Sequence, residues 1–182
     1  MKASNQTLYD HTAEYSAVIQ SPVDRVFDWL DDQTRLAQHM AQRSWKMGWG
    51  KMEIELDGRR GRALGAHIVL RGRVLGVDLS LDEVVTRYEP PLRKTWKTVG
   101  EPRLLVIGAY EMGFELVPLE ATTRLRVTIS YRLPTAGVAL WLGRLFGKSY
   151  AAWCVRKMVE DAGNGLRIAD PHQGAERLRP QE

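Results

Sequence analysis

The chain has 182 residues, 44% of them hydrophobic and 26% charged, and carries a formal net charge of +4. That length suits one domain with a substantial core. The basic residues are scattered, with Arg59, Arg60 and Arg62 the densest group, so the aromatic-interleaved basic stripe of a nucleic-acid binder is missing. A single cysteine, Cys154, excludes an internal disulfide framework and fits a reducing, cytoplasmic compartment.

Met1 to Asp10 is polar, without a hydrophobic signal core. It is expected to be a flexible N-terminus, followed by one domain over 11–165 and a polar tail over 166–182. Tyr9 to Gln20 predicts a first strand, closed by Ser21-Pro22-Val23-Asp24. Ser21 can cap a helix there, Pro22 suits its first position, and Asp24 favours its first turn. The helix puts Val26, Phe27 and Leu30 on one side, and Asp31-Asp32 ends it before a second short helix, Gln33 to His39.

From Lys51 to Asp57 apolar Met52, Ile54 and Leu56 alternate with charged residues, the period of a half-buried strand. A turn around Asp57-Gly58 and Gly61 leads to a strand from Ala63 to Arg71. There Ala66, Ile68 and Leu70 share one face and His67 and Arg71 the other, and both faces carry apolar members. In the next strand Val77, Leu79 and Leu81 point one way. Glu83 continues that series if the strand is regular, and a bulge at Asp82-Glu83 that turns it outward is the favoured expectation.

Turns at Glu89-Pro90-Pro91 and Gly100-Glu101-Pro102 bracket a strand from Leu92 to Val99. Two long strands follow, Leu104 to Val117 and Thr122 to Leu133. With Pro118 to Ala121 as the loop, Glu115 faces Arg124, Phe114 faces Leu125, Met112 faces Val127, and Tyr110 faces Ile129. Like meets like, as cross-strand pairing requires. Pro134 ends the sheet, and Gly137 to Gly163 reads as a long amphipathic helix with Val155, Met158 and Val159 on its apolar side. The apolar residues before Gly147 occupy another angular sector, so a break or kink at Gly147 is expected. Arg144, Lys148, Arg156 and Lys157 interrupt this stretch and make it poor material for a membrane span.

The segment Ser21-Pro22-Val23-Asp24-Arg25-Val26-Phe27-Asp28-Trp29-Leu30, the Tyr88-Glu89-Pro90-Pro91 turn and the helix Tyr150 to Ala162 resemble the START, Bet v 1 and polyketide-cyclase-like superfamily, also called SRPBCC. The resemblance runs from about Tyr15 to Ala162. It implies an α+β helix-grip fold: a curved antiparallel sheet of about seven strands around a long C-terminal helix, with two short helices after the first strand. Members include lipid carriers, plant ligand binders, aromatase/cyclases, quinone-binding proteins and chaperone co-factors, so the fold alone does not select an activity. The iron–sulfur oxygenase branch needs paired Cys and His motifs that this chain lacks.

No nucleophile elbow, phosphate loop or dinucleotide fingerprint occurs. The histidines His11, His39, His67 and His172 form no helical pair, so no metal site or cofactor is expected. An inward Glu83 would be a desolvated carboxylate with a raised pKa, able to act as general acid or base. Tyr110, Tyr131, Glu83 and His67 are thus the polar candidates, and Tyr110, Glu83 and His67 the catalytic ones if a reaction occurs.

The expected function is binding of a hydrophobic small molecule, such as a lipid, quinone or polyketide, by a carrier or sensor. Its lining would be Val77, Leu79, Leu81, Trp96, Tyr110, Met112, Phe114, Val127, Ile129, Tyr131, Val155, Met158 and Val159. A cyclase/aromatase-type enzyme is the alternative. An interaction module using Glu111, Glu115, Arg124 and Arg126 on the outer sheet face is the third reading. No nucleic-acid partner and no stable membrane insertion are expected.

Overall fold

The computed structural model describes residues 9–32, 49–74 and 77–169. Their elements are β1 (His11–Ile19), α1 (Val23–Asp31), β2 (Trp49–Leu56), β3 (His67–Val74), β4 (Val77–Glu89), β5 (Arg93–Arg103), β6 (Tyr110–Leu119), β7 (Thr122–Tyr131) and α2 (Gly137–Ala169). The strands form one antiparallel sheet in the order β1-β7-β6-β5-β4-β3-β2, a meander from β2 to β7 with β1 added beside β7. Its inner face meets the apolar sides of α1 and α2, and α2 packs chiefly on β1, β7 and α1. This is the helix-grip arrangement. The second short helix expected at 33–39 lies outside the described residues, as do the 1–8 and 170–182 ends.

The start of α1 follows the sequence, with one correction. Val26, Phe27 and Leu30 are buried as the helical period requires, and Trp29 joins them. Ser21 does not cap: Pro22 is the N-cap residue, and the buried Ser21 hydroxyl has no hydrogen-bond partner among the described residues. Thr123 on β7 instead donates to the Ser21 carbonyl at 2.8 Å and ties the helix entrance to the sheet.

Register in the β6–β7 hairpin departs from expectation by two residues. Glu115 pairs with Arg126, Phe114 with Val127, Met112 with Ile129 and Tyr110 with Tyr131. The cause is a tighter turn: Leu119 pairs with Thr122, and Glu120 takes a left-handed conformation (φ 48°). A shift of two keeps every side chain on its original face, because the strand period is two. The apolar partition therefore survives the error.

The strands on either side of Gly100 also differ. β5 continues through Gly100-Glu101-Pro102 to Arg103, because that segment is accommodated as a bulge between the Ser80–Arg103 and Asp82–Val99 pairs. Residues 104–109 form the connection, and β6 begins only at Tyr110.

Gly147 does not break the terminal helix, which runs on to Ala169. Gly143 and Gly147 form the face that touches the 104–109 connection and the segment just after β7. A Cβ on Gly143 would meet Pro134 Cδ at 2.8 Å and the Val106 carbonyl oxygen at 2.9 Å, and one on Gly147 would meet Leu133 Cδ2 at 2.8 Å. The earlier apolar sector, Val138, Trp141, Leu145 and Phe146, is left exposed on this continuous helix. Beyond Gly163, Leu166 remains buried, which carries the apolar stripe and the helix past residue 165.

Candidate functional site

Strand parity sets the inner face. On β4, Leu81, Glu83 and Val85 are buried. On β5 the buried set is Lys94, Trp96 and Thr98, and on β6 and β7 it includes Tyr110, Phe114, Val127, Ile129 and Tyr131. From α2, Val155, Met158 and Val159 complete this core. Met112 and Leu79 are half-buried, and so are Ile54, Leu56 and Leu70 towards the β2–β3 side. Leu79 also borders an open depression with Glu53, Arg71, Asp78 and Arg103. Val77 heads β4, with its side chain outside the described set.

Glu83 faces inward, against the expected outward bulge. The irregularity between the Ser80–Arg103 and Asp82–Val99 pairs places its extra residues on β5, so β4 keeps its alternation through Leu81, Glu83 and Val85. Glu83 pairs with Thr98 in the ladder, and the Thr98 hydroxyl accepts a hydrogen bond from the Tyr110 N–H at 3.1 Å. Tyr110, on the far side of β5, sends its own hydroxyl back to donate to the Glu83 carboxyl. The Trp96 indole N–H donates there as well.

Burial pushes the Glu83 carboxyl up to about 7, against those two hydrogen bonds and the nearby Lys94 charge. Burial and the adjoining Glu83 charge hold the Tyr110 phenol well above its ordinary range, so it stays a proton-bearing donor. Tyr150 and Cys154 from α2 reach the same neighbourhood electrostatically. Burial raises the Cys154 thiol to about 12, which leaves it without nucleophilic thiolate at neutral pH.

A second polar group adjoins the first. Lys94 is fully buried, and its ammonium donates to Asp31 Oδ1 at 2.6 Å. Tyr88 donates to Asp31 Oδ2 at 2.9 Å, and Arg62 approaches that oxygen at 3.7 Å. The Lys94 ammonium also lies 5.9 Å from the Tyr88 ring centre and 6.0 Å from that of Trp96. Burial lowers the Lys94 pKa while Asp31 opposes the change.

His67 is not part of the site. Ala66 and Ile68 are the buried members of that strand's approach, so His67 faces outward and pairs with Asp82 through Nδ1 at 3.0 Å. On the outer face, too, Glu115 and Arg126 form an ion pair with each other. Trp153 is exposed and stacks on Tyr150, with ring centres 6.0 Å apart.

Residues 10–165 match the family described as polyketide cyclase / dehydrase and lipid transport. The chain belongs to this family. Its fold is that of the wider SRPBCC, Bet v 1-like superfamily, as solved structures also indicate. A truncated norcoclaurine synthase from Thalictrum flavum aligns with TM-score 0.58 and 13% identity, over 90% of this chain and 98% of that one. The aromatase/cyclase Zhui from a Streptomyces species gives TM-score 0.56 and 15% identity, over 87% and 97% of the two chains. A protein from Arthrobacter aurescens gives 0.58 and 15%, over 97% and 99%. At such identities the likeness concerns the fold alone. No curated protein sequence matches.

Within this member of the family, sequence reasoning missed the Asp31–Lys94–Tyr88 group. One signal was present: Lys94 shares strand parity with Trp96 and Thr98, and the alternate residues Arg93, Thr95 and Lys97 mark the outward side. Its partner Asp31 is 63 residues away, beyond the reach of any local pattern.

Proposed function

We propose that the protein binds a hydrophobic small molecule bearing a hydroxyl or carbonyl oxygen against the inner face of its sheet. The observation that carries this reading is Glu83: a near-neutral carboxyl held by Tyr110 and Trp96 among apolar side chains. A protonated carboxyl and a phenol offer directional hydrogen bonds, while Met112, Leu79 and Leu70 supply apolar surface. Tyr110 and Trp96 already donate to Glu83, so a ligand oxygen would accept the proton carried by the protonated carboxyl itself.

Native mass spectrometry of gently purified protein, then solvent extraction, tests the reading. A retained one-to-one apolar compound with a polar oxygen is the expected result. Tyr110→Phe should lower occupancy about tenfold, the cost of one lost hydrogen bond to a buried group. Undiminished retention in Tyr110→Phe and Glu83→Gln together would remove these residues from the site.

The same carboxyl favours a cyclase-type enzyme as the second reading. A group that titrates near 7 can accept and return a proton at neutral pH. Turnover of a poly-β-keto substrate that survives Glu83→Gln unchanged would eliminate it.

A further inference from the structure

The first half of α2 is built inside out. Its buried positions are Gly143, Gly147 and Ala151, whereas Val138, Trp141 and Leu145 are 74%, 75% and 72% exposed, and Phe146 is 49% exposed. An ordinary surface helix turns its large apolar residues to the core and its small or polar ones to water. Single exposed apolar residues are common, but four on two successive turns form a contiguous patch.

Charge indicates what covers it. From Ala121 to Val159 the sequence contains no Asp or Glu, and Arg144 and Lys148 lie on the exposed part of the helix beside the apolar residues. We propose that this helix segment docks the protein on the surface of an anionic lipid bilayer, with Trp141, Leu145 and Phe146 entering the interface and Arg144 and Lys148 meeting the headgroups. Aromatic and aliphatic residues on one face with flanking cations are the pattern of a helix lying in the membrane plane. Insertion across the bilayer is a different matter, since no helix among the described residues is long and apolar enough to cross. A second copy is disfavoured as occupant, because a two-fold contact on this face would bring Arg144 and Lys148 against their own counterparts.

The inference is independent of the interior site, and its test keeps the two apart. Full-length protein is floated with vesicles of phosphatidylcholine alone and of phosphatidylcholine with phosphatidylglycerol in equal parts. The expected result is flotation with the anionic vesicles only, weakened by salt. Trp141→Glu with Leu145→Glu should abolish it, and both side chains are exposed enough for the fold to persist, which circular dichroism and melting temperature verify. Arg144→Gln with Lys148→Gln should weaken it about thirtyfold, from the loss of two basic contacts. Glu83→Gln should float like the wild type. Absence of flotation, equal flotation with both vesicle types, or indifference to the Trp141/Leu145 change would each overturn the proposal. A stable dimer in sedimentation velocity that Trp141→Glu dissolves would overturn it in favour of self-association.

Discussion

Tyr110 and Glu83 are joined by a hydrogen bond that passes over the strand between them. The two residues sit on β6 and β4, and Thr98 of β5 pairs with Glu83 while accepting from the Tyr110 backbone. Neighbouring strands thus bring a carboxyl and a phenol to one interior point, although 27 residues separate them in sequence.

The Glu83 carboxyl makes stability depend on pH. Its ordinary value is 4.5 and its folded value about 7, so the folded state holds a proton that the unfolded state releases. Stability from this group is complete below about 4.5 and is lost as pH rises through 7, by roughly 3 kcal/mol. Urea denaturation at pH 5 and pH 8 should show this fall in the wild type, and Glu83→Gln should remove most of it. A wild-type midpoint that does not move between those pH values would refute the assignment.

The Asp31–Lys94 pair is expected to be strongly coupled. Asp31→Asn alone leaves a fully buried ammonium without its counter-charge, at a cost of about 3–5 kcal/mol. Lys94→Met alone is milder, because Tyr88 and Arg62 still attend Asp31. The double variant should recover much of the loss seen in Asp31→Asn, and a double-mutant cycle by chemical denaturation measures this. Additive losses would mean that the two groups act separately.

Two glycines of α2 should respond to alanine with opposite sign. Gly143→Ala adds a methyl against Pro134 Cδ at 2.8 Å and a backbone oxygen at 2.9 Å, a clash worth about 1–3 kcal/mol that outweighs alanine's better helix propensity. Among the described residues Gly163→Ala meets only Ile19 Cδ1 at 3.6 Å, so the propensity gain of about 1 kcal/mol should appear as added stability. Thermal melts of both variants decide it. Equal shifts in one direction would show that the approach of the helix to Pro134 and Val106 is not set by Gly143.

Periodicity makes most of the fold legible in the sequence. Alternation and turn residues together located the strands from β2 to β7, though β6 starts six residues later than expected, and the Ser21-Pro22-Val23-Asp24 entry located α1. The hairpin illustrates the reach and the limit of that signal. Phe114 and Val127 fell on the correct face, but the register was off by two, since every even shift satisfies the same alternation. Turn geometry at Glu120 made the choice, and a glutamate carries little of the left-handed preference that would have announced it.

What the sequence determined by itself was the order of the elements, the inner set on β6, β7 and the second half of α2, and the lack of cysteine pairs. Local spacing encodes these directly. Only the tertiary structure decided that Glu83 faces inward, that Lys94 finds Asp31, that His67 points away, and that α2 stays whole at Gly147. Each of those outcomes depends on a neighbour from a distant strand or helix. The energy that settles them, desolvation of a charge or contact with a glycine face, does not exist until the chain has folded.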